Sequence, residues 1–171
     1  MKTNSIIISE KKKVLKYSQK NDAFEWELNF KHRVTGISRI DDYVFVTTSS
    51  NWGIQSTNLI YFESGEKLWA KDEIFYSIHI IDDLIIYANK TKYFCGINLK
   101  TGVNIFSTKS PFKWWATPKT MLLNGQFYIY TSKKVFLLNL KNGSISESKL
   151  PYKIDPKEIS LVLDEFQINI N

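Results

Sequence analysis

A single cysteine, Cys95, in 171 residues excludes an internal disulfide and any cysteine cluster that could hold a metal. The two histidines, His32 and His79, are too far apart in the chain to form a metal-binding pair on one element, and each reads as a loop or half-buried strand residue. Seven glycines and four prolines are too few for a collagen-like or low-complexity chain. No apolar run approaches the roughly 18 residues of a membrane-spanning helix. The opening MKTNSIIISEKKK carries one basic residue, an apolar run of three and then a charge block, which is not the pattern of a secretory leader. Phosphate-binding loops, dinucleotide fingerprints and Gly-x-Ser-x-Gly elbows are all missing. These absences lead to the expectation of a cytoplasmic, non-enzymatic, cofactor-free protein with no membrane association.

What is present is a β-type composition, 43% apolar and 15% aromatic, with a net charge of +6. It is arranged as a repeat. INLKTG at 97–102, LNLKNG at 138–143 and IYFESG at 60–65 occupy the same place in a longer unit. Upstream of each, a two-residue turn separates two alternating apolar runs. These turns are Asp41-Asp42, Asp82-Asp83, Asn124-Gly125 and Asp164-Glu165, spaced 41, 42 and 40 residues apart. A period of about 40 with four short strands, a to d, is the signature of propeller blades. The a–b hairpins fall at 37–48, 78–89, 120–131 and 159–170, and Asn-Gly and Asp pairs tolerate the backbone that tight hairpins need.

In the c–d hairpins a large aromatic follows the turn residue by four: Asp22 leads to Trp26, Gly65 to Trp69 and Gly102 to Phe106. Strict two-residue alternation then makes Trp26, Trp69 and Phe106 equivalent packing positions. The fourth unit has Glu147 there instead, so its d strand, 144–148, is expected to be the most exposed. Cys95 lies within a c strand as a small buried residue. Asn89-Lys90-Thr91 and Asn142-Gly143-Ser144 match the glycosylation acceptor but read as plain turns.

A strand, a T-G or N-G turn, Trp four residues on and a P-x-x-x-x-x-G hairpin resemble the quinoprotein-type (PQQ-like) propeller repeat. The match runs from Val14 to Ile170 and is best over 117–143, whereas the G-H and W-D dipeptides of WD40 repeats are missing. The resemblance implies an all-β fold: a small β-propeller of about four four-stranded antiparallel blades, one domain over 1–171. The chain opens with strands b, c and d and closes with a and b, so N- and C-terminal strands would close one blade. The alternative is an open half-propeller that dimerises into a ring. Catalytic members of the family have about eight blades, hold calcium through an Asn, Asp and Glu set, and many carry a vicinal disulfide. One cysteine and four repeats cannot supply these, so the resemblance implies a non-catalytic member, a scaffold for binding or assembly.

Strand order also sorts the loops. In a meander, a–b and c–d turns lie at one end of each blade and b–c and d–a connections at the other, which places 15 of the 23 basic residues on one side. That side is expected to bind a partner through Arg33, Lys90, Lys92, Lys113, Lys133 and Lys134, with Trp52, Phe112, Trp114 and Trp115 on its two longest loops, 49–58 and 108–117. The competing readings are a solvated lysine surface, and Trp114 or Trp115 packed between blades. The opposite side carries Asp41, Asp42, Asp82, Asp83, Asp164 and Glu165, an alternative acidic face whose residues are otherwise explained by turn chemistry. Three functions fit: a protein-binding propeller such as a bacterial immunity protein that neutralises a toxin, a nucleic-acid-binding propeller, or a degenerate quinoprotein-like ligand binder.

Overall fold

The computed structural model describes residues 5–113 and 116–150. Every regular element among them is a strand. The strands form four antiparallel meander sheets, one of three strands and three of four. The first sheet holds β1 (Ser5–Glu10), β2 (Lys13–Ser18) and β3 (Ala23–Asn29), the expected b, c and d strands. The second runs β4 (Arg33–Ile40), β5 (Tyr43–Ser49), β6 (Gln55–Tyr61) and β7 (Lys67–Lys71). The third is β8 (Tyr76–Ile81), β9 (Leu84–Ala88), β10 (Tyr93–Asn98) and β11 (Asn104–Lys109), and the fourth is β12 (Lys119–Leu123), β13 (Gln126–Tyr130), β14 (Val135–Leu138) and β15 (Ile145–Ser148). The repeat read from the turns is therefore a four-stranded blade. The expected hairpin at 159–170, the closing of the first blade by its first strand, and the positions Trp114, Trp115, Asp164 and Glu165 lie outside the described residues.

The hairpin chemistry is visible in the backbone. Asp41, Asp82 and Asn124 open the three described a–b turns with φ of 52°, 53° and 51°. A side-chain oxygen beside its own backbone makes that left-handed conformation accessible to Asp and Asn. Middle strands are buried on both faces, as in β5, β9 and β10, because a blade is covered on two sides; outer strands such as β3 and β11 alternate.

The described chain packs as two compact units, the first from the N-terminal side to Ile74 together with Lys100–Gly102, the second taking the rest. In the first unit Val14, Val44, Val46, Ile60 and Phe62 form the core, with Trp26 and Leu28 packed against it. In the second, one cluster of Ile86, Phe94, Phe106, Phe127, Ile129 and Leu138 is joined by another of Met121, Tyr128, Tyr130, Val135 and Leu150.

Within these units the aromatic four residues past each turn rests on the turn glycine of the next repeat. A Cβ added to Gly65 would fall 2.8 Å from Trp26 Cγ, one on Gly102 2.9 Å from Trp69 Cγ, and one on Gly143 2.5 Å from Phe106 Cδ2. Trp26 Nε1 also donates to the Phe62 carbonyl at 2.9 Å, fastening the indole to the turn. Phe106 has no such donor, and in its repeat Thr108 Oγ1 donates to the Gly143 carbonyl at 2.7 Å.

The equivalence of Trp26, Trp69 and Phe106 thus holds, but strict alternation is not its cause. Each of the three c–d hairpins carries a register shift, at Lys16/Tyr17, Leu59/Ile60 and Gly96/Ile97, which leaves Glu25, Leu68 and Ile105 as extra residues just before the aromatic. A bulge turns the strand and re-aims the following side chain. The fourth hairpin pairs Leu138 with Ile145 through Val135 with Ser148 without a shift, and has Glu147 in place of the ring. Its outer strand is not the most exposed one: two residues of β15 are exposed and two half-buried, whereas five of seven in β3 are exposed. The expectation took the missing aromatic as missing burial, but Ile145 still packs on the core cluster of the second unit.

Gly65 and Gly143 both have φ of 73° and both face a ring at sub-van-der-Waals distance from a hypothetical Cβ. Replacing either by Ala adds a backbone penalty to an overpacking penalty, and each should cost roughly 2–4 kcal/mol in urea unfolding. Gly125→Ala, at φ 71° with nothing within 4 Å, carries the backbone part alone and should cost less. Equal losses at all three sites would show that the rings do not set the requirement.

Candidate functional site

In the second unit the b–c turns and d–a connections are built by short polar side chains that hold the backbone and turn lysines outward. Asn89 Oδ1 accepts from the Tyr93 amide at 3.0 Å, the Thr91 amide at 3.1 Å and the Thr91 hydroxyl at 2.8 Å, closing the turn that presents Lys90 and Lys92. The acceptor-like sequence at 89–91 is thus a turn, and at Asn142 the side chain likewise accepts from the Ser144 amide at 2.9 Å. Thr131 Oγ1 accepts from the amides of Lys133 and Lys134, both at 3.3 Å, in the β13–β14 turn. The Ser110 amide donates to the Lys92 carbonyl at 2.8 Å, which confirms that b–c turn and d–a connection share one end of the blade.

Two adjoining cavities open there. One of about 440 Å³ is lined by Lys90 and Lys92 with Tyr76, Asn89, Tyr93 and Ser110; the other, about 730 Å³, by Lys113, Lys119, Lys133 and Lys134 with Phe112 and Tyr130. Thr117 lines both. Among the described residues no Asp or Glu lines either wall, whereas six lysines do. This end of the unit attracts anions by its fixed charge.

Of the residues expected at a partner site, Lys90 and Lys92 come together at the first cavity, and Phe112, Lys113, Lys133 and Lys134 at the second. Phe112 is half-buried and meets Phe136 edge-on, with centroids 5.2 Å apart, so it serves as wall rather than as a free anchor. Arg33 and Trp52 belong to the first unit. Arg33 opens β4, exposed, opposite Ser49. Trp52 is 93% exposed. Its loop is shorter than expected, because β6 begins at Gln55, and it is well tied: the Ser50 amide donates to the Ile54 carbonyl at 2.8 Å, Gly53 N to Ser50 O at 3.0 Å, and Ile54 N to Ser50 Oγ at 3.0 Å. Asp41, Asp42, Asp82 and Asp83 are exposed in their turns, and the carbonyls of Asp42 and Asp83 accept from the Phe62 and Leu99 amides at 2.7 and 2.8 Å.

Lysine count alone overstated the charge of the first unit. Lys13 pairs with Glu27 at 2.7 Å. Lys16, only 3% exposed, lies 2.9 Å from Glu25, 2.8 Å from Glu63 and 4.2 Å from the Phe62 ring centre. Burial works against its charge most strongly of any single effect, yet the hydrogen bonds and fields of the two glutamates together outweigh it and raise its pKa. Sequence reading also passed over Tyr76, Tyr93, Lys119 and Tyr130, which sit in strands and announce no loop.

Cys95 is buried, as expected. Among the described residues no cluster of three His, Cys, Asp or Glu side chains could hold a metal ion, and no helix is long and apolar enough to cross a membrane.

With the blades and their basic end in view, comparison with known proteins settles the class. Solved structures match at low identity: BamB from Moraxella catarrhalis (13% identical, covering 85% of this chain and 48% of that one, TM-score 0.55), Kluyveromyces lactis Hsv2 (13%, 86% and 48%, 0.57) and a europium-containing methanol dehydrogenase (9%, 85% and 39%, 0.57). The chain is a β-propeller protein by fold. It spans about half the length of the structures it matches. No protein-family model and no curated protein matches it.

His79 in β8 hydrogen-bonds through Nε2 to Thr120 Oγ1 at 2.8 Å and lies edge-on to Phe127 at 5.0 Å. Burial lowers its pKa to about 4, so the imidazole is neutral when folded at pH 7. The stabilisation is complete above the ordinary value of 6.5 and fades as pH falls from there toward 4, where the folded state also takes up the proton. Between pH 7.5 and pH 5 the protein should lose about 1–2 kcal/mol of stability through this group. His79→Gln should flatten that slope in urea titrations; an unchanged slope would assign the acid sensitivity elsewhere.

Proposed function

We propose that this chain is a non-enzymatic, protein-binding β-propeller, a non-catalytic relative of the PQQ-like repeat proteins, which engages an acidic partner from the cytoplasm of a bacterial cell. The observation that carries this reading is Trp52. An indole 93% exposed on a loop closed by three hydrogen bonds gains nothing for folding. It supplies rigid contact area of the kind that anchors protein interfaces. Ile54, 60% exposed, stands two residues away and extends the apolar tip. The lysine-lined cavities of the second unit support a partner of negative charge, which would be steered by that field and released faster at high salt.

In its most specific form the reading is an immunity protein that caps a cognate toxin. A nuclease toxin with a basic active site would instead be met by the turns bearing Asp41, Asp42, Asp82 and Asp83. A second reading, nucleic-acid binding, is favoured by Tyr76, 46% exposed beside Lys90 and Lys92, since a ring next to phosphate-binding lysines is a stacking platform. It requires affinity that falls steeply with salt.

Affinity capture from the native cells with wild type and Trp52→Ala separates these. A captured protein lost with Trp52→Ala, at an unchanged melting temperature, supports the protein-binding reading, and rescue of cells expressing that protein by co-expressed propeller supports immunity. Capture abolished by nuclease treatment and indifferent to Trp52 would replace it with the nucleic-acid reading.

A further inference from the structure

The edge strand β1 is built like an interior one. It pairs with β2 in unbroken register from Ser5 to Glu10, and no strand pairs with its other side among the described residues. Its place in the repeat is that of β5, β9 and β13, the second strand of each four-stranded sheet, which are paired on both sides. The cross-strand pairs Ile6–Tyr17 and Ile8–Leu15 match Val44–Ile60 and Val46–Asn58 in the next sheet. In the three four-stranded sheets these second-strand positions, Val44 and Val46, Ile85 and Tyr87, Phe127 and Ile129, are at most 1% exposed, whereas Ile6 is 43% and Ile8 37% exposed. The usual devices that blunt an edge are missing as well. The first strands of the other sheets carry them: β4 has Arg33, Arg39 and a register shift, β8 has a register shift, and β12 opens with Lys119. From Ser5 to Ser9 the β1 edge has no charge, no proline and no shift.

The order of side chains along this edge specifies what fits it. Residues 5–9 read SIIIS, the same in both directions. We infer that β1 pairs antiparallel with β1 of a second copy of this chain about a two-fold axis at Ile7, joining two three-stranded sheets into one of six strands. In that register Ile6 lies opposite the partner's Ile8, Ile7 opposite its own counterpart, and Ser5 opposite the partner's Ser9. Side chains alternate along a strand, so each face of the joined sheet stays continuous only when residues of the same parity are opposed. Of the registers that satisfy this, the one centred on Ile7 sets all three isoleucines against isoleucines, the β-branched pairing that stabilises neighbouring strands. A two-fold contact of this kind closes on two copies and leaves no β1 edge free. Docking of a further blade in the manner of the repeat is disfavoured here. The turn position held by Gly65, Gly102 and Gly143 is Asp22 in the first repeat, whose Cβ takes the space a ring needs, and the fourth repeat has Glu147 where it would supply that ring. The pairing uses neither the Trp52 tip nor the lysine-lined cavities, so it is independent of the protein-binding reading.

The full 171-residue chain in solution tests this. Sedimentation equilibrium at about 100 μM should give twice the 20.0 kDa chain mass. The double variant Ile6→Lys/Ile8→Lys sets lysine opposite lysine across the axis and should weaken the dimer at least about tenfold. Its melting temperature should be unchanged, since both side chains are already exposed. Mixing it with Ile6→Glu/Ile8→Glu should restore a dimer, because opposite charges then face each other. Ser5→Cys mixed with Ser9→Cys should form a disulfide between copies, as opposed residues of antiparallel strands bring their Cα atoms about 4.5–5.5 Å apart. Neither cysteine variant should crosslink alone, and the native Cys95 is buried. A wild-type chain that stays monomeric, a dimer indifferent to the lysine pair, or crosslinking of Ser5→Cys with itself would each overturn the pairing.

Discussion

The contact on which the blades depend is a flat ring laid on a bare turn. Trp26 covers Gly65, Trp69 covers Gly102 and Phe106 covers Gly143, each ring so close that a methyl group would not fit. A single blade cannot bury both faces of its middle strands, so it needs a neighbour, and a neighbour needs register. The ring-on-glycine contact supplies both: it hides an aromatic surface and pins one hairpin of a repeat to a defined strand of the next. The indole of Trp26 adds a directional hydrogen bond to Phe62, and where Phe106 lacks a donor, Thr108 supplies one. The same geometric need explains the recurrent bulge, because only a displaced strand turns the ring toward the adjacent turn.

A scaffold fixed in this way leaves the opposite, b–c and d–a, ends of the blades free of structural duty. In the second unit those ends are closed by Asn89 and Thr131, whose side chains take the place of backbone hydrogen-bond partners. Lys90, Lys92, Lys133 and Lys134 are then displayed, with no acidic neighbour in the cavity walls among the described residues. In the first unit two lysines behave differently: Lys13, at the start of β2, is paired, and Lys16, within that strand, is buried between two glutamates and a ring. Lysine number alone therefore does not set the field, and the apolar Trp52 rather than charge marks the first unit's exposed tip.

The repeat, the hairpin turns and the identity of the docking aromatics were all legible in the sequence. Their physical signals are local: Asp and Asn where the backbone turns left-handed at Asp41, Asp82 and Asn124, and glycine where a ring must approach. The bulges at Glu25, Leu68 and Ile105 were not legible, since an extra residue in a strand leaves composition and apolar pattern almost unchanged. Nor was the neutralisation of Lys16, whose partner Glu63 comes from a different sheet. Of the candidate site, the turn lysines could be assigned to one end of a blade by topology alone.

By itself, then, the sequence determined the blade: its period, its turns, its strand order and the end of each meander to which the basic residues go. These follow from short-range rules, in which a residue's neighbours within a few positions dictate backbone and face. Tertiary structure alone decided which lysines are paired and which aromatic is bare. Those properties depend on atoms tens of residues away in the chain, as with Lys16 and Glu63.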